Sequence, residues 1–65
     1  MQITTKFTDK VILITGASDG IGKATAIECA KNGATVIIHG KTLPKLEALY
    51  DEIVAAGYTE PVIYP

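Results

Sequence analysis

The sequence predicts an α/β fold built on a parallel sheet, and three observations lead there. Short apolar runs, Val11-Ile12-Leu13-Ile14 and Val36-Ile37-Ile38, alternate with stretches of helical periodicity. The first run passes into a glycine-punctuated turn, Thr15-Gly16-Ala17-Ser18-Asp19-Gly20-Ile21-Gly22. Both runs are apolar at every position, the pattern of strands covered on two faces, as in parallel sheets whose crossovers are helices. The order reads strand, helix, strand, helix, start of strand.

Each element has its own local signals. The first strand covers 11–14. The first helix is predicted over 20–32, with Ile21, Ala24, Ile27 and Ala30 as buried-face candidates. Gly33 stands where a left-handed C′ residue ends a helix. The second strand lies in Gly33-Ala34-Thr35-Val36-Ile37-Ile38. The second helix is predicted over 43–56, with Thr42 as N-cap and Pro44 in the first turn, where a missing N–H does no harm. Gly57 closes it. Leu46, Leu49, Tyr50, Ile53 and Val54 recur at helical spacing and form one apolar stripe. A third strand starts in Val62-Ile63-Tyr64-Pro65. Parallel strands joined by helices take right-handed crossovers. The product is the N-terminal β-α-β-α-(β) portion of a Rossmann-type doubly wound parallel sheet.

Sixty-five residues are few for such a sheet, which ordinarily takes over a hundred or so. Two helices cannot easily cover both of its faces. The chain is therefore expected to be the N-terminal part, residues 1–65, of a single larger domain. Alone it is expected to be marginally stable or self-associating.

Composition narrows the function classes. A 48% hydrophobic content with a formal charge of −1 describes a piece of a soluble globular domain. Six Lys, no Arg and seven acidic residues leave no basic stripe for nucleic acid. Apolar runs of a few residues are far short of the roughly 20 that span a bilayer, and Met1-Gln2-Ile3-Thr4-Thr5-Lys6 is not a signal-peptide core. A cytoplasmic setting is expected. Cys29, the single cysteine, reads as a small packed thiol on the first helix.

The turn after the first strand is a place to put a phosphate. A backbone that turns sharply and then presses on a pyrophosphate cannot carry Cβ atoms at its contact points, and glycine meets that demand. A helix starting near Gly20 or Ile21 aims unpaired N–H groups and its dipole at a bound anion. Gly22 is better explained by close packing than by ligand contact. The P-loop pattern fails at two positions, since Ala17 occupies its first glycine position and Ala24 its metal-binding hydroxyl position. The general G-x-G-x-x-G fingerprint is not matched literally either, because the glycines fall at Gly16, Gly20 and Gly22.

What stands here, T-G-x-x-x-G-I-G, resembles the cofactor loop of the short-chain dehydrogenase/reductase family. The likeness extends from about Thr8 to the end of the chain: Lys10 precedes the first strand, the octet follows it, Gly33-Ala34-Thr35-Val36-Ile37-Ile38 matches the family's second strand, and His39-Gly40-Lys41 follows. The resemblance implies a dinucleotide cofactor held by Gly16, Ser18, Asp19, Gly20, Ile21, Gly22, Gly40 and Lys41. It further implies an oxidoreductase that interconverts an alcohol and a carbonyl on a small-molecule substrate, in a parent protein expected to be a homo-oligomer.

Which nicotinamide cofactor is bound turns on residues 40 and 41. In NAD binders of such folds a carboxylate at the end of the second strand accepts hydrogen bonds from the ribose hydroxyls, and NADP binders replace it with a cation. The aligned acidic position is Gly40, followed by Lys41. A carboxylate about 4 Å from a 2′-phosphate would repel it by roughly 4 kcal/mol per unit charge at an effective dielectric of about 20. Its absence favours NADP over NAD, and Ser18 could add a hydroxyl donor to the same phosphate. Asp19 cuts the other way, because NADP-preferring relatives often carry Arg or Lys there. It could instead cap the first helix or pair with Lys23 or Lys41.

Other polar residues are weaker candidates. His39, at the end of the second strand, reads as a packed or edge residue and has no metal partners. Glu47, Asp51 and Glu52 form a solvated acidic face. No cluster has zinc-ligand spacing. The family's catalytic Ser, Tyr-x-x-x-Lys and Asn are not matched: Tyr50 is followed four residues on by Val54 and Tyr58 by Val62, Ser18 belongs to the loop, and Asn32 ends a helix. Such a chain holds part of a cofactor without completing hydride transfer. The alternative is a non-catalytic nucleotide-binding or regulatory protein on the same fold.

Overall fold

In the computed structural model, which describes residues 8–64, five elements follow in the expected order: β1 (Val11–Thr15), α1 (Gly20–Lys31), β2 (Thr35–His39), α2 (Leu43–Ala55) and β3 (Val62–Tyr64). The reading of Met1 to Lys6 and the strand position proposed for Pro65 lie outside the described residues. The strands form one parallel sheet in the order β1-β2-β3. Val11 pairs with Thr35 and Thr15 with His39, and the register continues through Ile37 opposite Val62 to His39 opposite Tyr64. The ends of β1, β2 and β3 thus come level at Thr15, His39 and Tyr64.

Local chemistry sets the boundaries. Asn32 caps the C-terminus of α1, and Gly33 beyond it has φ +98°, the left-handed conformation expected of a C′ glycine. Its amide donates to the carbonyl of Ala30 at 3.1 Å. A Cβ there would also come within 2.9 Å of Thr8 Oγ1, so substitution is opposed twice over. Asn32 is buried and turns its side chain back on the helix, Nδ2 donating to the Glu28 carbonyl at 2.8 Å. Thr42 is the N-cap of α2 through its carbonyl, which accepts from the amides of Lys45 and Leu46, but its hydroxyl makes no capping bond.

Both helices pack on one face of the sheet. Ile14, Val36 and Ile38 meet Ala26 and Ala30 of α1 and Leu46, Leu49 and Ile53 of α2, and all of these are buried. To this core α1 offers alanines, and α2 offers leucines and an isoleucine. Three expected core positions are not in it. Ile21 is 86% exposed and Ala24 is exposed, because the sheet-facing line of α1 runs through Ala26 and Ala30 with Ile27 and Cys29 beside it. Val54 likewise lies outside the α2 stripe and is 44% exposed.

The opposite face of the sheet has no cover among the described residues. Strand alternation sends Val11, Leu13, Val62 and Tyr64 to that side, and all four are exposed, Val11 at 66% and Leu13 at 58%. Burying such a side chain fully is worth about 1.5–3 kcal/mol, so an uncovered row is a substantial unmet gain. Residues 1–65 in isolation are accordingly expected to associate with increasing concentration or to melt without cooperativity. Sedimentation and thermal melts across a dilution series check this, and a sharp transition from a dilute monomer would contradict it.

Candidate functional site

The C-terminal ends of parallel strands are where an α/β sheet leaves a crevice, and an open cavity of about 460 Å³ lies there. Its walls are Thr15, Gly16, Ser18 and Asp19 from the loop after β1, with His39, Gly40, Lys41 and Thr42 from the end of β2 and the approach to α2. The two walls are tied together by the Ala17 amide, which donates to the His39 carbonyl at 3.0 Å, and Ala17 is fully buried. Gly16 and Gly20 take φ +66° and +58° at the two bends of the loop, a conformation that costs other residues dearly. The loop delivers the chain into α1 at Gly20.

Gly22 does what close packing demands. A Cβ on it would fall on the carbonyl oxygen of Gly16 and lie 2.9 Å from that carbonyl carbon, so the helix start rests directly on loop backbone. Gly40 leaves room of another kind. A Cβ there would strike Ser18 Oγ and approach Leu46 Cδ2 to 3.3 Å. Ser18 Oγ is therefore tucked against Gly40, buried, and without a hydrogen-bond partner among the described residues. A buried hydroxyl left unsatisfied is costly and invites a partner.

Five of the expected site residues, Gly16, Ser18, Asp19, Gly40 and Lys41, converge on this cavity. Gly20, Ile21 and Gly22 do not line it; they form the first turn of α1 beside it, with the Ile21 side chain in solvent. Thr15, His39 and Thr42, none of them among the expected site residues, also line it. Strand register brings two of them there, since Thr15 pairs with His39 at the strand ends. His39 does not face the cavity alone: its ring lies 5.2 Å from that of Tyr64, and Nδ1 donates to the Tyr64 carbonyl at 2.9 Å, which places the proton on Nδ1.

Asp19 departs from all three roles expected for it. It is the N-cap residue of α1 with extended backbone, but its carboxylate makes no capping bond. Nor does it meet Lys23 or Lys41. Lys45 in the first turn of α2 reaches both its oxygens, at 3.1 and 3.2 Å, while Lys23 is held by Glu52 at 3.5 Å. The packing of α2 beside the loop puts Lys45 within range, something spacing along the chain does not reveal.

Neither Tyr50 nor Cys29 is among the residues lining the cavity. The Tyr50 hydroxyl donates to Glu60, and that bond, followed by burial and the charges of Glu60 and Asp51, raises its pKa above the usual tyrosine value. A tyrosine serving as an acid–base group near neutral pH needs the reverse. Burial, and after it the charge of Glu28, pushes the Cys29 thiol up as well. No group of three or more His, Cys, Asp or Glu is placed to hold a metal ion, and no helix is long and apolar enough to cross a membrane, both among the described residues.

A sequence model of the short chain dehydrogenase family matches residues 10–64. The chain belongs to the short-chain dehydrogenase family. Within it, the chain is 46% identical over 55 residues to a cyclohexanol dehydrogenase of an Acinetobacter strain, covering 85% of this chain and 22% of that one. Among solved structures, a citronellol catabolism dehydrogenase of Pseudomonas aeruginosa superposes with a TM-score of 0.90 at 34% identity, covering 98% of this chain and 26% of the other. A short chain dehydrogenase of Escherichia coli complexed with NADPH gives 0.85 at 40% identity, covering 89% and 24%. The chain thus spans about a quarter or less of the length of these relatives, and the Rossmann-type parallel sheet is the one the family shares.

Two outcomes follow from the packing. Gly22→Ala is expected to destabilise the full-length protein by about 1–3 kcal/mol, the usual cost of overpacking against atoms that cannot move, whereas Gly40→Ala should cost less because the Ser18 hydroxyl can rotate away. Urea unfolding midpoints of the two variants check the order. Cys29, with its raised pKa, holds less thiolate than a free cysteine at any given pH. Its alkylation by iodoacetamide at about pH 8 should run slower than that of a model thiol and reach the model rate once the protein is unfolded.

Proposed function

We propose that residues 1–65 are the first part of a single dinucleotide-binding domain, in an oxidoreductase that interconverts an alcohol and a carbonyl with NADP preferred over NAD. The observation that carries the cofactor assignment is the wall at 40 and 41. Where an NAD site needs a carboxylate, Gly40 has no side chain, and the space a Cβ would take is held by Ser18 Oγ. Lys41 lines the cavity directly beside it. The unsatisfied Ser18 hydroxyl suits an anionic ligand with spare acceptor oxygens.

The residues present fit the cofactor in distinct ways. Gly16, Gly20 and the start of α1 suit a pyrophosphate, because backbone N–H groups at a helix start supply positive charge without a cationic side chain. Ser18, Gly40 and Lys41 suit the adenosine ribose and its 2′-phosphate, and Asp19 lines the same cavity. Ile21, exposed at the first turn of α1, offers an apolar contact where the cofactor would leave the loop. When bound, the nicotinamide carries the hydride to or from the substrate carbon. The segment's own contribution is to bind and orient, and the proton-transfer groups belong to the remainder of the domain.

The open sheet face supports the domain assignment, since Val11, Leu13, Val62 and Tyr64 form a row that further helices of a doubly wound fold would cover. A small-molecule substrate, a homo-oligomeric state and a cytoplasmic location are part of the same proposal. The NADPH complex of the Escherichia coli relative is consistent with the cofactor assignment.

Thermal stability of the full-length protein with NADPH, NADH and ATP tests the reading. A native-state ligand at about 100 times its Kd stabilises by roughly 2.7 kcal/mol, so NADPH should raise the Tm well beyond NADH at equal concentration, with ATP nearly inert. Lys41→Ala should weaken NADPH by roughly tenfold, about 1.4 kcal/mol, and leave NADH close to unchanged. Preference for NADH would overturn the specificity, and no response to either nucleotide would favour a non-catalytic protein on this fold.

A further inference from the structure

The lip of the cavity carries an ion pair whose position is more telling than its strength. Lys45 Nζ meets Asp19 Oδ1 at 3.1 Å and Oδ2 at 3.2 Å, and both side chains are more than half exposed. Exposed pairs contribute little to folding, so stability gives little reason to keep it. Lys45 is moreover the third residue of α2, at the positive end of the helix dipole, where a cation is disfavoured and a carboxylate would be the stabilising choice. The first turn of α2 holds no acidic residue at all. Lys41, Lys45 and the helix start thus place positive charge along one side of the crevice, and Asp19 is the one carboxylate among the residues lining it.

The arithmetic of charge then decides what the crevice attracts. Lys41 and Asp19 both line it and would cancel at a distance of several ångströms, leaving no net pull on a second phosphate. With Lys45 clamped on Asp19, the carboxylate is neutralised where it stands and Lys41 remains uncompensated. We infer that Lys45 is a specificity-determining residue: by neutralising Asp19 across the gap between the two walls, it lets a site containing that carboxylate accept a phosphomonoester on the adenosine ribose. This rests on the cofactor reading above, and it accounts for the one residue, Asp19, that opposes that reading. Lys45 acts through Asp19 and through the field, and does not itself line the cavity.

The test uses the full-length protein and two probes that differ by one phosphate, adenosine 2′,5′-bisphosphate and 5′-AMP, with affinities from titration calorimetry at low salt. The wild type should bind the bisphosphate more tightly. Lys45→Ala should weaken the bisphosphate by roughly three- to fivefold, the range of an exposed charge contact, and leave 5′-AMP unchanged, which also reports an intact fold. Lys45→Arg should hold the wild-type affinity. Asp19→Asn should tighten the bisphosphate, and the double variant Asp19→Asn/Lys45→Ala should return to the wild-type value. These differences should shrink at about 0.5 M salt, where the screening length falls to a few ångströms. If the wild type does not distinguish the two probes, the cofactor reading is wrong and the role of Lys45 falls with it. If the wild type distinguishes them but Lys45→Ala binds the bisphosphate normally, weakens both probes alike, or is not restored by Asp19→Asn, the cofactor reading stands and the role of Lys45 is overturned.

Discussion

The seating of α1 on the loop after β1 is the constraint on which the rest depends. No carbon fits between Gly22 and the Gly16 carbonyl, so the helix start and the loop are in backbone contact, and the loop is pinned in turn to β2 by the bond from the Ala17 amide to the His39 carbonyl. From that arrangement the direction of α1 follows. So does the level ending of the strands, and so does the crevice they leave open. A side chain at Gly22 would push the helix start off the loop.

One-sided packing is the second consequence of this chain order. Going from β1 to β2 to β3 in one direction across the sheet places both helices on the same side, which gives one compact core and one bare face. The two helices contribute differently to that core: alanines from α1, leucine and isoleucine from α2. The bare face remains apolar because the strands are made for cover on both sides. Its exposed row, Val11, Leu13, Val62 and Tyr64, has no cover among the described residues.

Charge at the crevice is arranged in pairs drawn from different elements. Asp19 of the loop is held by Lys45 of α2, and Lys23 of α1 by Glu52 of α2. Lys41 lies on the crevice wall with neither of these carboxylates as its partner. The same α2 that completes the core therefore also adjusts the field at the mouth of the site, so that packing and electrostatics are set by one docking event.

Periodicity, glycine placement and proline position were enough to order all five elements, because each is a local property of the backbone: Gly33 and Gly57 end helices by taking positive φ, and Pro44 tolerates a first helical turn. The loop glycines were legible for the same reason, and five of the eight expected site residues do meet at the crevice. What escaped was everything set by the rotation of a helix or by reach across a gap. Ile21 and Ala24 fit a helical stripe as well as Ala26 does, and only the seating of α1 on the sheet decides which line is buried. The partner of Asp19 lies 26 residues away, and His39 and Thr42 reach the crevice through strand register and the entry into α2. Local propensity acts over one turn of helix or one step of strand, so the sequence alone determined the elements and the glycine-punctuated loop; long-range packing, which sums many weak contacts between distant residues, decided which faces are buried and how the charges pair.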